Sequence, residues 1–442
     1  MTISGQIRSS LIARLSGMAG LFILLVTAIA AQAQTIQTLH SFTGGVDGAA
    51  PLAGLSTDAH GNLYGTASSG GMGYGTVYRL AHAGSGWGFT TLYTFHGAPN
   101  DGAYPVARVV FGPDQTLYGT TQEGGNSLNY CRNVGCGTVF NLRPQPGICK
   151  TALCPWQETL LYDFSTTDPT FGAVPESEVT FDSAGNLYGT TYTGGYYAGA
   201  GGGSGCVECG LVYKLTPSGS GWTESVPYSF SGYQYYTDGA LPVGGVTFDN
   251  AGNMFGTTTA YGSCGFGIAY ELTPNGSHWS EVILQQLCES GASPTANLIF
   301  DGTGTFYGAS EGDTEYGPYP VTIFTLTQSG GSWVYTPIYI FSQSGHGPAG
   351  QLLLDSAGNL YGTTIEGGSN PLGQCSAGCG TIFKLSPSGG SWTYTDLYDF
   401  TGGSDGAYPH SNLVMDSSGN FYGTTSQGGG TNSHGTIFEF TP

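Results

Sequence analysis

Positive charge is what this sequence has least of. Its 442 residues hold 9 Lys and Arg against 29 Asp and Glu, and charged residues make up only 9% of the chain. Two of the basic residues, Arg8 and Arg14, fall in the first 33 residues, which hold no Asp or Glu, so the remainder carries 7 − 29 = −22. So few Lys and Arg exclude nucleic acid and anionic membrane surfaces as expected partners. The four arginines past residue 33 are Arg79, Arg108, Arg132 and Arg143, too few and too local for an arginine cluster that clamps carboxylates. Long apolar runs are missing beyond residue 30, where nothing approaches the ~18 residues of a membrane-spanning helix, so no membrane insertion is expected. Apolar residues at helical spacing are missing too. No G-K-[ST] follows the glycine run at 199–205, which excludes a phosphate loop there.

The one early apolar run has a different meaning. Arg8 and Arg14 precede an apolar stretch at 20–30, and Ala31-Gln32-Ala33 forms an A-x-A cleavage site. That order is a secretory signal peptide over 1–33, which makes the chain a secreted one, extracellular or periplasmic. Residues 34–442 then read as one domain, expected as a monomer.

Glycine (77 residues) and tyrosine (29) are abundant, which favours turns and Tyr- and Thr-bearing strands. They lie in a repeat. Residues 58–80 read DAHGNLYGTASSGGMGYGTVYRL, and six further versions stand at 117–142, 186–215, 253–272, 305–326, 359–385 and 420–440. Each unit offers four strand-like segments, a to d; in the first they are 51–57, 62–67, 75–80 and 87–95. The a–b turn is Asp-x-x-Gly-Asn, in which Asp caps nearby backbone N–H groups. Four short antiparallel strands per unit is the signature of a propeller blade, so the fold class is all-β, a seven-bladed β-propeller.

Tryptophan sets the register. Trp87, Trp156, Trp222, Trp279, Trp333 and Trp392 each open a d segment, and eight residues on stands Phe95, Phe164, Phe230, Leu287, Phe341 or Phe400. Six equivalent positions argue for packing, capping the c–d bend, rather than sugar stacking. Only six d segments follow a c segment. The seventh is at the start: 35–42, TIQTLHSF, matches the others, so the N-terminal strand should close the last blade and remove two open sheet edges. In the Tyr-Gly-Thr of strand b, Gly is expected to leave room for a large side chain of the neighbouring blade. The fifth copy departs most, with Ala309 in place of the threonine.

The unit GNLYGTTxxGGxxxxGTVFxL resembles the GloVer tandem-repeat family of secreted bacterial proteins with varied C-terminal anchors, here without an anchor segment. The resemblance covers 35–442 and implies no assigned activity or catalytic residue. A narrower likeness, confined to the DxxGNLY turns, is to propellers of the streptogramin lyase type and bears on fold alone.

Ten cysteines form five neighbouring pairs: Cys131 with Cys136, Cys149 with Cys154, Cys206 with Cys209, Cys264 with Cys288, and Cys375 with Cys379. On a secretory route disulfides are the default, and no second ligand pair stands near Cys206 and Cys209 to complete a zinc site. Ser404 sits in G-x-S-x-G, but in a d–a loop rather than at a strand–turn–helix elbow. His96, His346, His410 and His434 lie in or beside loops and read as exposed loop histidines, with convergence at a pore mouth as the rival reading.

The repeated Asp-Gly-Ala-x-Pro before strand a is the stronger candidate. Asp47, Asp101, Asp238 and Asp405 should share a face with the long b–c loops, where Tyr130, Tyr196 and Tyr197 offer aromatic surface with hydroxyls. The plain reading of each Asp-Gly pair is a turn. The functional reading is a ligand site for a neutral polyhydroxylated molecule, with Ca²⁺ as the cation such oxygen-rich corners would suit. Two function classes stay open: a non-catalytic scaffold binding an extracellular glycan, cell-wall polymer or partner protein, and a secreted carbohydrate-active lyase or hydrolase.

Overall fold

The a–b turn closes on its own aspartate. Asp58 Oδ1 accepts the backbone N–H groups of His60 and Asn62, while Oδ2 accepts the Asn62 amide and the Tyr64 hydroxyl, all within 2.7–3.1 Å. The same set recurs on Asp182, Asp355 and Asp416. Asp249 lacks the tyrosine because Phe255 stands there. On Asp58, Asp182, Asp355 and Asp416 these hydrogen bonds hold the carboxyl below the usual carboxylate range despite partial burial.

The turns join strands into seven four-stranded antiparallel sheets in the order a-b-c-d. In blade 1 the strands are Ser56–Thr57, Leu63–Ala67, Thr76–Ala83 and Gly86–Thr94. Blade 7 is built from Val414–Met415, Phe421–Thr425 and Thr436–Thr441, completed by the N-terminal Thr35–Ser41. Its register runs from Thr35 opposite Thr441 to Ser41 opposite Thr436. The molecule is thus an all-β, seven-bladed propeller closed by its first strand. The computed structural model describes residues 34–442 except 85, 127–130, 132–133, 146–155, 165–171, 196–208, 220, 233–237, 277, 289–291, 313–319, 342–346, 349, 369–374 and 432. No helix occurs among the described residues.

The core lies between blades. Each Trp packs on the strand-b aromatic of the preceding blade: Trp156 on Tyr64, Trp222 on Tyr118, Trp279 on Tyr188, Trp333 on Phe255, Trp392 on Tyr307 and, across the closure, Trp87 on Tyr422. Ring centroids are 5.2–6.5 Å apart, the range of favourable edge-on contacts. The tryptophans are therefore wedges between blades rather than caps on the c–d bend. The strand-b glycine also differs from expectation. A Cβ on Gly65 would meet the Tyr78 ring, its cross-strand partner in the same blade, and one on Gly119, Gly308, Gly362 or Gly423 would meet Phe140, Phe324, Phe383 or Phe438. A bulky ring opposite a glycine lies down over it, so the space is filled from within the blade.

Successive blades are also latched by hydrogen bonds. The threonine of Tyr-Gly-Thr donates to a carbonyl at the entry to the next strand a: Thr66 to Ala107, Thr120 to Ser177, Thr190 to Gly244, Thr363 to Ser411 and Thr424 to Ala53, at 2.9–3.0 Å. The last of these spans the closure. The latch is missing where Thr257 has no partner and where Ala309 replaces threonine.

Three disulfides are described, Cys131–Cys136, Cys264–Cys288 and Cys375–Cys379, each with Cα atoms 5.2–5.3 Å apart. Cys209 is also disulfide-bonded, and Cys206, its expected partner, lies outside the described residues. The fifth expected pairing, of Cys149 with Cys154, is not among the described bridges, because Cys149 and Cys154 both lie outside the described residues. No helix among the described residues is long and apolar enough to cross a membrane.

Candidate functional site: an axial cup

Each latched carbonyl belongs to the second residue after the proline that opens strand a. That residue is anchored in the wall, so the first and third residues after the proline turn toward the axis. The bend before the proline is a left-handed one at Ala50, Tyr104, Val174, Leu241, Ser293 and Tyr408, with φ of 49–59°. Each of these residues donates its N–H to the preceding blade, for example Tyr104 to the Tyr74 carbonyl at 2.9 Å. Recurrent strained backbone held by such bonds aims the chain inward.

The result is a cavity of about 730 Å³ on the axis, lined by all seven blades. Its mouth is formed by the first position after the proline, Leu52, Val106, Glu176, Val243, Thr295 and His410, and by the end of strand b, Gln122, Tyr192, Thr259 and Glu311. Tyr192 and Glu311 bond through their backbone N–H groups to the Val174 and Ser293 carbonyls, two residues before Glu176 and Thr295. Glu176 Oε1 accepts Gln122 Nε2 at 2.6 Å, and Glu311 Oε1 accepts the Thr295 hydroxyl at 2.9 Å. Burial pushes both carboxyls above the usual glutamate range, against the pull of those donors. Burial likewise raises Tyr192, helped by the Glu176 charge, and lowers His410.

The floor uses the third position: Gly54, Arg108, Glu178, Asn297, Gln351 and Asn412 line it, and Gly245 stands against Asn297. Arg108 Nε donates to Glu178 Oε2 at 2.6 Å, and Asn297 Nδ2 donates to Glu178 Oε1 at 2.9 Å. Burial alone would lower the Arg108 pKa, but Glu178 outweighs it and raises it. Two glycines make the floor possible. A Cβ on Gly245 would press on the Glu178 carbonyl at 2.8 Å and on the Asn297 amide, whose Oδ1 accepts the Gly245 N–H at 2.5 Å. A Cβ on Gly54 would collide with the Asn412 side chain.

The residues singled out from sequence lie elsewhere. Asp47, Asp101, Asp238 and Asp405 stay at separate d–a corners, each serving its own corner. Asp47 accepts the Thr43 N–H and hydroxyl and His40. Asp101 accepts the His96 N–H and ring, the Tyr93 hydroxyl and the Gly102 N–H. Asp238 accepts the Ser231 N–H and hydroxyl, and Asp405 the Thr401 N–H and hydroxyl and the Tyr398 hydroxyl. Tyr130, Tyr196 and Tyr197 lie outside the described residues. Of the loop histidines, His96 is bound to Asp101 and His410 lines the cup, while His434 stands against Gly44 and His346 is outside the described residues. Ser404 offers its carbonyl to Thr38 at 2.8 Å in a corner with no helix. Among the described residues, no three His, Cys, Asp or Glu side chains gather as a metal-ligand set.

Gln122, Glu176, Glu178, Tyr192, Asn297, Glu311 and Asn412 are not among the residues expected from sequence, and Arg108 figures there only as one of four arginines too few and too local to clamp a carboxylate. The signal lay in irregularity: the first and third positions after the proline differ from blade to blade, while Tyr-Gly-Thr and the Asp-x-x-Gly-Asn turn largely recur.

Fold and cup together define a repeat-built β-propeller with an axial cavity of mixed polar and apolar lining. The chain belongs to the Gloeobacter/Verrucomicrobia repeat family, whose model matches residues 25–202, 196–375 and 322–442. A search of curated proteins finds no match. Among solved structures, the chain is similar to a fungal alcohol oxidase of the AA5 family in complex with copper, at 12% identity over 92% of this chain and 76% of that one, TM-score 0.53. It is also similar to an ulvan lyase of polysaccharide lyase family PL25, at 9% identity over 91% of this chain and 93% of that one, TM-score 0.52. At such identities the likeness is one of fold.

Proposed function

We propose that the protein is a secreted, non-catalytic propeller scaffold that holds an extracellular ligand, a glycan, cell-wall polymer or the exposed end of a partner protein, in the axial cup. One observation carries this reading: the seven-fold repeat breaks down at the cup positions, where Glu176, Tyr192, Glu311 and His410 stand beside apolar Leu52, Val106 and Val243. A cavity mixing apolar wall with a few convergent polar groups is the usual form of a small-ligand site. Hydroxyl-rich molecules offer the matching mixture of C–H faces and donors.

A second reading, a carbohydrate-active lyase or hydrolase, is favoured by one feature. Carboxyls raised by burial and an imidazole lowered by burial share one mouth, and titratable groups shifted by burial around one cavity are candidates for acid and base. Both readings meet the same experiment: a glycan array with the purified protein, followed by mass analysis of bound oligosaccharide and by Val243→Trp, which fills the mouth. The scaffold reading expects binding, unaltered ligand mass and loss of binding in the variant. A cleaved product would replace it with the enzyme; full binding by Val243→Trp would move the site away from the cup.

A further inference from the structure

The charges of the cup do not balance. Arg108 is the one Lys or Arg among the described lining residues, and Glu178 already takes it at 2.6 Å. Glu176 and Glu311 face the same space with uncharged partners: each commits one oxygen, to Gln122 and to Thr295, and its Oε2 accepts no hydrogen bond from the described residues. Carboxylates half withdrawn from water without a counter-charge are costly, and a cation placed against each removes that cost. An anionic ligand would add to the repulsion, and the sole guanidinium is not free to receive it.

The remaining lining narrows the cation. His410 has its pKa lowered by burial and makes no hydrogen bond among the described residues, so it stands as a neutral group able to meet a hydroxyl without repelling positive charge. The Asn297 and Asn412 amides at the floor, the Thr259 hydroxyl and the Tyr192 ring supply donors, acceptors and a stacking face. A bare metal ion has no three-carboxylate or histidine set to hold it among the described residues. The acidic excess of the whole chain, 29 Asp and Glu against 9 Lys and Arg, draws cations toward every opening of the molecule.

We propose that the cup selects an amine-bearing sugar oligomer, with protonated amino groups against the Glu176 and Glu311 carboxylates and its hydroxyls on the amide-lined floor. This rests on the cup being the ligand site and names the ligand class that site prefers. Selection comes from difference: each amine gains a carboxylate, the N-acetylated or plain hydroxyl analogue gains none, and the uronate is repelled.

The test is calorimetric titration of the full chain with chitosan tetramer, chitin tetramer, cellotetraose and a galacturonate tetramer. Chitosan tetramer is expected to bind most tightly, and its affinity to fall with added salt, as charge–charge contacts do. Glu176→Gln and Glu311→Gln keep shape and hydrogen bonds, and each is expected to weaken chitosan binding roughly tenfold or more while leaving the weaker neutral ligands unmoved. Unchanged thermal midpoints show that these variants fold; if they do not fold, the salt dependence of the native protein decides. Equal binding of chitin or cellotetraose, with no loss in the Gln variants, overturns the amine inference but leaves the cup as the site. Chitosan binding that survives Val243→Trp overturns the cup itself, and no binding of chitosan overturns the proposal.

Discussion

Three tyrosines carry a hydroxyl that the fold does not use. Tyr78, Tyr213 and Tyr270 are fully buried over the strand-b glycines of blades 1, 3 and 4, and their hydroxyls have no hydrogen-bond partner. Blades 2, 5, 6 and 7 place Phe140, Phe324, Phe383 and Phe438 there instead. An unpaired buried hydroxyl costs ~1–3 kcal/mol, so Tyr213→Phe is expected to hold or raise stability by about 1 kcal/mol in a denaturant titration. A clear fall would show that the hydroxyl has a partner such as an internal water. At this scale the sequence was legible where residues recur for local reasons. The turn aspartates Asp58, Asp182, Asp355 and Asp416 act on neighbours two to six positions away, and their spacing alone shows it. Arg108 and Glu178, or Glu178 and Asn297, meet across 70 and 119 residues, and nothing local marks them as partners.

At the scale of the strand, the repeat made both the blade and its closure readable, because a d segment without a blade and a blade without a d segment could only be each other's complement. The inward roles were harder to read. The side of strand b that a glycine opens, and the blade that a Trp wedges against, depend on which faces pack, and a period of two does not say that. The closing strand Thr35–Ser41 pairs with Thr436–Thr441 over six register positions, and Ile36 packs in the cluster that holds Tyr361, where the other blades use Trp. Removing residues 35–41 is expected to leave the Thr436–Thr441 edge open and replace one cooperative unfolding transition with aggregation or a broadened melt. A soluble truncated chain with an unchanged single transition would mean that the ring holds without its closing strand.

The whole molecule has a pH profile written into one side of the ring. At the outer edges between blades 1 and 2, 2 and 3, and 3 and 4 stand Glu158, Glu224 and Glu281, raised by burial to about 7, about 7 and about 8. Each has one carboxyl oxygen buried without a partner. Facing them are Tyr93 and Asp101, Tyr162, and Tyr228 and Asp238; the Tyr228 hydroxyl donates to Glu281 at 2.9 Å. Because these glutamates bind protons more tightly folded than unfolded, their contribution is complete near the ordinary glutamate pKa and is lost as pH rises through 7–8. The turn aspartates act in the opposite sense, and their contribution is lost in acid below about 4. Thermal midpoints are therefore expected to peak in mildly acid solution and decline toward pH 8, and the triple variant Glu158→Gln, Glu224→Gln, Glu281→Gln should flatten that decline. A midpoint that rises from pH 5 to pH 8 would contradict the assignment. The closure that completes this ring also sets an order of events in synthesis. Thr35 and its partner Thr441 are separated by some 400 residues, so at ~5–20 residues per second the first strand waits on the order of 20–80 s for its mate to be made. Throughout that interval its ladder groups stay open to any other strand, and the ring cannot close until Thr436–Thr441 emerges.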